Sequence, residues 1–258
     1  MAIHPLTPET ITFIDQRFRA QKSRNLLLDT PQGKVMVKGQ RKPRDPVRFW
    51  LLSAIGKLFS SPLIKPVPAY GGAKSQAIEL QRIADLHGAG ISVPIVLHVT
   101  NDYFVMQAFN GRPLDSMVSQ AGPTAQAAFE QGLVAIAQVH AAGKCLSQGF
   151  ARNILVSEHA LCFIDFEDDP LQVMTLEQAQ ARDYLLYLLS VVWLNRAMHA
   201  PWRAAWHSCK QSMNPMVRAL IDNTASGVLW MRHLPRTRKP LGRDALQLQA
   251  LAEFMDCD

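Results

Sequence analysis

Residues 144–170 read KCLSQGFARNILVSEHALCFIDFEDDP, and the rest of the chain is best understood outward from them. Two short apolar runs, Ile154-Leu155-Val156 and Leu161-Cys162-Phe163-Ile164-Asp165, flank Ser157 to Ala160, which predicts a tight β-hairpin. Asn153 opens the first run, and Asp165, twelve residues later, closes the second. Upstream, Phe129, Leu133, Ile136 and His140 recur at helical spacing and Gly143 ends that helix. Downstream, helices are expected over Leu176–Ala197, Pro201–Lys210, Pro215–Leu229 and Arg243–Met255. Tyr184 to Leu194 is apolar all round, as in a helix at the centre of a helical lobe, and is about half the length a bilayer span requires.

The first hundred residues follow a different pattern. Ile11–Asp15, Asn25–Asp29 and Lys34–Lys38 look like strands, the last two joined by the turn Pro31-Gln32-Gly33, and together they predict a three-stranded antiparallel meander. After Gly71-Gly72, Leu80, Ile83, Ala84 and His87 mark a helix, and Ile91 to Phe109 holds two more strands before Asn110-Gly111. The fold class expected is therefore α+β and bilobal. Residues 1–110 form a small antiparallel-sheet lobe with one helix and a basic, aromatic insertion at 39–70; residues 111–258 form a mainly helical lobe that carries the segment 140–170.

Four positions set at these places resemble the protein-kinase-like fold. Lys38 ends a strand and Glu79 lies in the helix of the small lobe, the pairing by which that fold holds the α and β phosphates of ATP. Asn153 and Asp165 match its catalytic-loop asparagine and metal-binding aspartate, which implies ATP and Mg2+ as cofactors. Magnesium takes hard oxygen ligands, and an amide with a carboxylate supplies them. The resemblance spans roughly residues 20–200 and is nearest to small bacterial phosphotransferases, the group of lipopolysaccharide core sugar kinases, aminoglycoside phosphotransferases and RIO-like kinases. It assigns Met106 and Arg24 to the nucleotide as well, and gives Asp183 the structural task of fastening the catalytic loop.

The chain departs from the family in two places. Leu146-Ser147-Gln148 stands where HxD is expected, so Gln148 takes the position of the catalytic aspartate; Glu167, Asp168 or Asp169 would have to act as base in its stead. The glycine-rich loop is replaced by RAQKSR, which offers Arg19, Lys22 and Arg24 as phosphate contacts. The function expected is an ATP- and Mg-dependent phosphotransferase acting on a hydroxyl of a small molecule, a lipopolysaccharide-type sugar or a protein. The alternative is a pseudokinase, a nucleotide-binding or scaffolding module without transfer.

Composition narrows the partners. With 258 residues, 48% hydrophobic and 19% charged, the chain can bury a substantial core. Its formal charge of +6 is concentrated: Lys38 to Lys65 holds seven basic residues against Asp45, interleaved with the amphipathic stretch Phe49–Phe59. Such a segment suits an anionic membrane surface, which predicts a cytoplasmic protein able to sit peripherally at the inner membrane. A second basic cluster comprises Arg232, Arg236, Arg238, Lys239 and Arg243, and no nucleic-acid-reading motif accompanies either cluster. Four scattered cysteines form neither a disulfide framework nor a CxxC site. Gly143-Lys144-Cys145 is not a P-loop and Ser147 lacks a GxSxG elbow. Cys145 and His140 lack a third group to orient them, and His199, His207 and Cys209 do not have zinc spacing. His140, Trp202 and Trp206 are expected in the core.

Overall fold

The computed structural model describes residues 5–41, 63, 65, 67–68, 70–158, 160–234, 236 and 242–256. Most of the basic insertion, including the amphipathic stretch Phe49–Phe59, lies outside these residues, as do Arg238, Lys239 and Cys257. The first element is a helix, α1 (Pro8–Arg19), and not the strand expected at Ile11–Asp15. Thr7 caps it by accepting a hydrogen bond from the Thr10 amide, Pro8 fits its first turn and Glu9 complements its dipole. These three residues outweigh the alternating pattern that follows them. Ile14 and Phe18 then settle on the sheet, with the Phe18 ring 4.8 Å from that of Tyr103.

The strands β1 (Asn25–Thr30), β2 (Gly33–Gly39), β3 (Val96–Val99) and β4 (Tyr103–Gln107) form one antiparallel sheet in the order β1-β2-β4-β3. It has four strands rather than five, so Lys38 ends the second strand and not the third. Side-chain alternation along β2 sends Val35 and Val37 into the cluster under α1 and Met36 and Lys38 to the opposite face. That opposite face meets α2 (Gly72–Gly88), whose buried residues include Glu79, Arg82, Ile83 and Leu86. Lysine and glutamate are brought together by a period of two on the strand and a buried stripe on the helix.

The short strand β5 (Arg112–Pro113) pairs with the expected hairpin, β6 (Ile154–Val156) and β7 (Leu161–Phe163), beside helices α3 (Leu114–Val118) and α4 (Pro123–Ala141). Four helices follow: α5 (Leu176–Val191), α6 (His199–Ser212), α7 (Pro215–Val228) and α8 (Gly242–Met255). A capping box of Thr175 and Gln178 starts α5. It stops at Val191 rather than Ala197, because the chain turns at Asn195, whose amide donates to the Gln120 carbonyl at 2.6 Å. Trp202 stacks on Phe129 at 4.7 Å, and Trp206 packs against Tyr184, so both tryptophans belong to the core. One apolar cluster runs from Ile83 and Phe104 through Phe129 and Ile136 to Tyr187 and Phe254. The sheet-bearing and helical portions share that core, and the architecture is the α+β arrangement expected, a small antiparallel sheet with a mainly helical remainder. No helix among the described residues is long and apolar enough to cross a membrane.

The loop between α4 and β6 is pressed against α5. A Cβ at Gly149 would lie 2.5 Å from the Asp183 carbonyl oxygen and 2.9 Å from its Cα, both backbone atoms that cannot swing aside. Gly149→Ala should therefore cost about 1–3 kcal/mol and lower Tm by about 3–10 °C. Gly227→Ala, where nothing stands within 4 Å, serves as the matched control and should leave Tm unchanged or slightly raised in the same thermal-unfolding scan. Equal Tm values for the two variants would contradict the packing described.

Candidate active site

The Lys38 ammonium is buried and meets three carboxylates: Glu79 Oε1 at 2.7 Å, Asp165 Oδ1 at 2.9 Å and Glu167 Oε1 at 3.1 Å. Burial alone would push Lys38 down, but those three acids outweigh it and hold the amine above the usual lysine range. Glu79 also accepts from the Phe166 amide at 3.3 Å, which ties α2 to the segment after β7. Glu79 is buried, and that burial pushes its carboxyl up against the pull of Lys38. Glu167 shifts the other way. Burial would raise it, yet Lys38 and Arg24 hold it at about 2, and Arg41 Nη1 donates to its second oxygen at 2.6 Å. Arg24 Nη2 donates to Glu167 Oε1, so Arg24 from β1's start and Arg41 from beyond β2 close on one buried carboxylate.

Asp165 occupies the left-handed region at φ 72°, alone among the described non-glycine residues. Aspartate tolerates that conformation better than most side chains, and a residue held there by its surroundings marks a constrained position. The segment between α4 and β6 is equally fixed. Asp183 on α5 accepts from the Leu146 amide at 2.6 Å and from His140 Nε2 at 3.1 Å, which gives it the fastening task expected. Burial pushes the Asp183 carboxyl up, and these two donors oppose it. Arg82, one turn beyond Glu79 on α2, donates to the Cys145 carbonyl at 2.5 Å and lies 3.9 Å from Asp169. The Cys145 thiol is pushed up to about 12 by burial and by Asp183, so it is an inert core thiol and no nucleophile.

Gln148 and Asn153 lie side by side. The Asn153 amide nitrogen donates to the Gln148 carbonyl at 3.2 Å, and the Gln148 amide donates to Asp168 Oδ2 at 3.1 Å. The three acids after Asp165 therefore have different surroundings: Glu167 is taken by three cations, Asp169 caps the turn at Leu171 with its own side chain, and Asp168 stands beside Gln148. Met106 is buried on β4 opposite Met36. Arg19 pairs with Asp15 on its own helix. Glu167 and Arg41 are members of the Lys38 cluster that sequence reasoning missed, and it missed Arg82 as the tie from α2 to Cys145. Among the described residues, no group of three or more His, Cys, Asp or Glu could hold a metal, and His199, His207 and Cys209 do not come together as one.

No family model matches the chain, and no curated protein matches it. Among solved structures, the crystal structure of an aminoglycoside-3'-phosphotransferase of type VIII is similar to it. The two are 12% identical, the match covers 95% of this chain and 98% of that chain, and the TM-score is 0.32. A likeness that distant carries no functional weight, which falls instead on the distances around Lys38.

Those distances make acid stability a test. The folded-state value of Glu167 lies below its ordinary one near 4.5, so its contribution is present above pH 4.5 and is lost as pH falls toward about 2. The stability gap between wild type and Glu167→Gln, read from urea unfolding, should narrow by on the order of 3 kcal/mol from pH 6 to pH 2.5. A gap that stays constant over that range would show that Glu167 is not held by Lys38 and Arg24.

Proposed function

We propose that this chain is a phosphotransferase of kinase-like design that binds ATP with Mg2+ and transfers a phosphoryl group to a hydroxyl. The observation that carries the proposal is the meeting of Lys38, Glu79 and Asp165 within 2.9 Å, from a strand, a helix and a turn far apart in sequence. In this role Lys38 holds the phosphates and Glu79 orients Lys38. Asn153 and Asp165 would hold the metal: Asn153 spends its amide nitrogen on Gln148, which leaves its oxygen as the donor atom, and Asp165 adds carboxylate oxygen at a third-exposed position. The ion would supply positive charge to offset the negative charge that develops in transfer.

Asp168 is the acid assigned to the missing catalytic aspartate. Gln148 cannot accept a proton, but its amide fixes Asp168, and the acceptor's hydroxyl proton would pass to that carboxylate as the oxygen bonds to the γ-phosphorus and the bond from that phosphorus to the bridging oxygen breaks, releasing ADP. A second reading is favoured by one specific feature: Lys38, Arg24 and Arg41 are already matched by Glu79, Asp165 and Glu167, a charge balance suited to a module that binds nucleotide without turning it over. For the acceptor, the basic sequence from Lys38 to Lys65 favours a phosphorylated or membrane-associated hydroxyl compound over a neutral metabolite.

ATP with Mg2+ at a hundredfold excess over its Kd should stabilise the chain by about 2.7 kcal/mol, a Tm rise of about 5–10 °C, and Lys38→Met should abolish the rise. No shift at millimolar nucleotide would contradict both readings. Phosphoryl transfer from labelled ATP separates them. Asp168→Asn should lower kcat by about 100- to 10,000-fold with KM for ATP nearly unchanged. Equal labelling by wild type, Asp168→Asn and Asp165→Ala would leave the binding module as the correct account.

A further inference from the structure

A second polar cavity lies in the helical portion, between the end of α5 and the helices α6 and α8. Its volume is about 560 Å³, within the range of small-ligand sites, and it is lined by Arg196, His199, Arg203, Arg232, His233, Arg236, Glu253 and Asp256. Four guanidinium groups thus face two carboxylates, an excess of two positive charges before either histidine is counted. Among the described lining residues no cation is a lysine. Guanidinium recognises oxyanions through paired, planar donors, where an ammonium acts as a point charge.

The internal contacts explain how the arginines are held without cancelling that excess. Arg196 and Arg236 share Glu253: Arg196 Nη1 binds Oε2, and Arg236 Nη2 binds Oε1 at 2.6 Å. Arg196 also donates to Gln249 Oε1 at 2.5 Å, Arg232 pairs with Asp256 at 2.8 Å, and Arg203 donates to the Glu253 and Phe254 carbonyls at 2.8 and 3.0 Å. Arg203 therefore caps the carbonyl end of α8, a neutral partner that leaves its charge unbalanced. His199 binds the Val192 carbonyl through Nε2 at 2.8 Å. Burial pushes its imidazole down, and Arg203, Arg196 and Arg236 push it further against the pull of that carbonyl, which is the signature of crowded positive charge. Arg236 is 72% exposed along its side chain, the most open of the paired arginines, and is held there only by Glu253 among the described residues.

We infer that this cavity is a binding site for a phosphate monoester, whose two negative charges match the excess and whose oxygens match the arginine forks. The phosphate belongs either to a soluble ester or to a lipid headgroup. Calorimetric titration of the full chain at low ionic strength with inorganic phosphate, and sedimentation with phosphatidylcholine vesicles containing phosphatidic acid, distinguish the two. Binding of inorganic phosphate assigns the site to a soluble ester, and binding of vesicles alone assigns it to a lipid.

In whichever arm binds, the double variant Arg232→Gln/Arg236→Gln should weaken affinity about tenfold or more, as expected for lost charged hydrogen bonds. Lys38→Met should leave that component intact, which separates this cavity from the Lys38 cluster. Arg236→Gln alone, at the most exposed position, should reproduce part of the loss if the double variant proves unstable. No binding in either arm, equal binding by wild type and the double variant, or loss through Lys38→Met would overturn the inference.

Discussion

One buried ammonium organises the candidate site. Lys38 sits where water is excluded, and a lone charge there would be too costly to keep, so the fold surrounds it with Glu79, Asp165 and Glu167. Glu79 comes from α2 and the other two from the segment after β7, and two of the three are in turn held by something else: the Phe166 amide on Glu79, and Arg24 and Arg41 on Glu167. Removing any one member leaves an uncompensated charge among the rest, and this mutual dependence fixes α2, β2 and the segment after β7 relative to one another. Asp165 keeps its left-handed backbone within that frame.

The frame extends into the helical portion by two further polar ties. Arg82 carries α2 to the Cys145 carbonyl, and Asp183 carries α5 to the Leu146 amide. Directly after those two points comes the loop bearing Gln148 and Asn153, and the Ala151 amide, donating to Ser190 Oγ at 3.0 Å, ties that loop to α5 a second time. The absence of an aspartate at Gln148 is accompanied by a hydrogen bond from its amide to Asp168, so the position still orients a carboxylate although it no longer supplies one.

Much of this was legible because it rests on periodicity and spacing. Lys38 follows Met36 by one strand repeat, Glu79 and Ile83 share a helix face, and Asn153 and Asp165 bracket a hairpin whose turn is marked by Ser157. Alternation misled at Ile11–Asp15, where the cap Thr7-Pro8-Glu9 was the deciding signal and only Thr10 and Ile14 bury the helix. The role of Glu167 was invisible for another reason. In an acidic run it has the pattern of a solvated turn, and its partners Arg41 and Arg24 lie 126 and 143 residues away. The arginine-lined cavity was missed likewise: Arg232 and Arg236 stood out as a basic cluster, but Arg196 and Arg203 joined them only through their hydrogen bonds to α8.

The central claim is that Lys38, Glu79, Asn153 and Asp165 serve a single triphosphate. A crystal structure of the chain grown with Mg2+ and a non-hydrolysable ATP analogue tests it most directly. The account predicts phosphate oxygens within hydrogen-bond distance of the Lys38 ammonium and a metal ion shared by the Asn153 and Asp165 side chains. Nucleotide bound elsewhere, with Lys38 still enclosed by its three carboxylates, would contradict it.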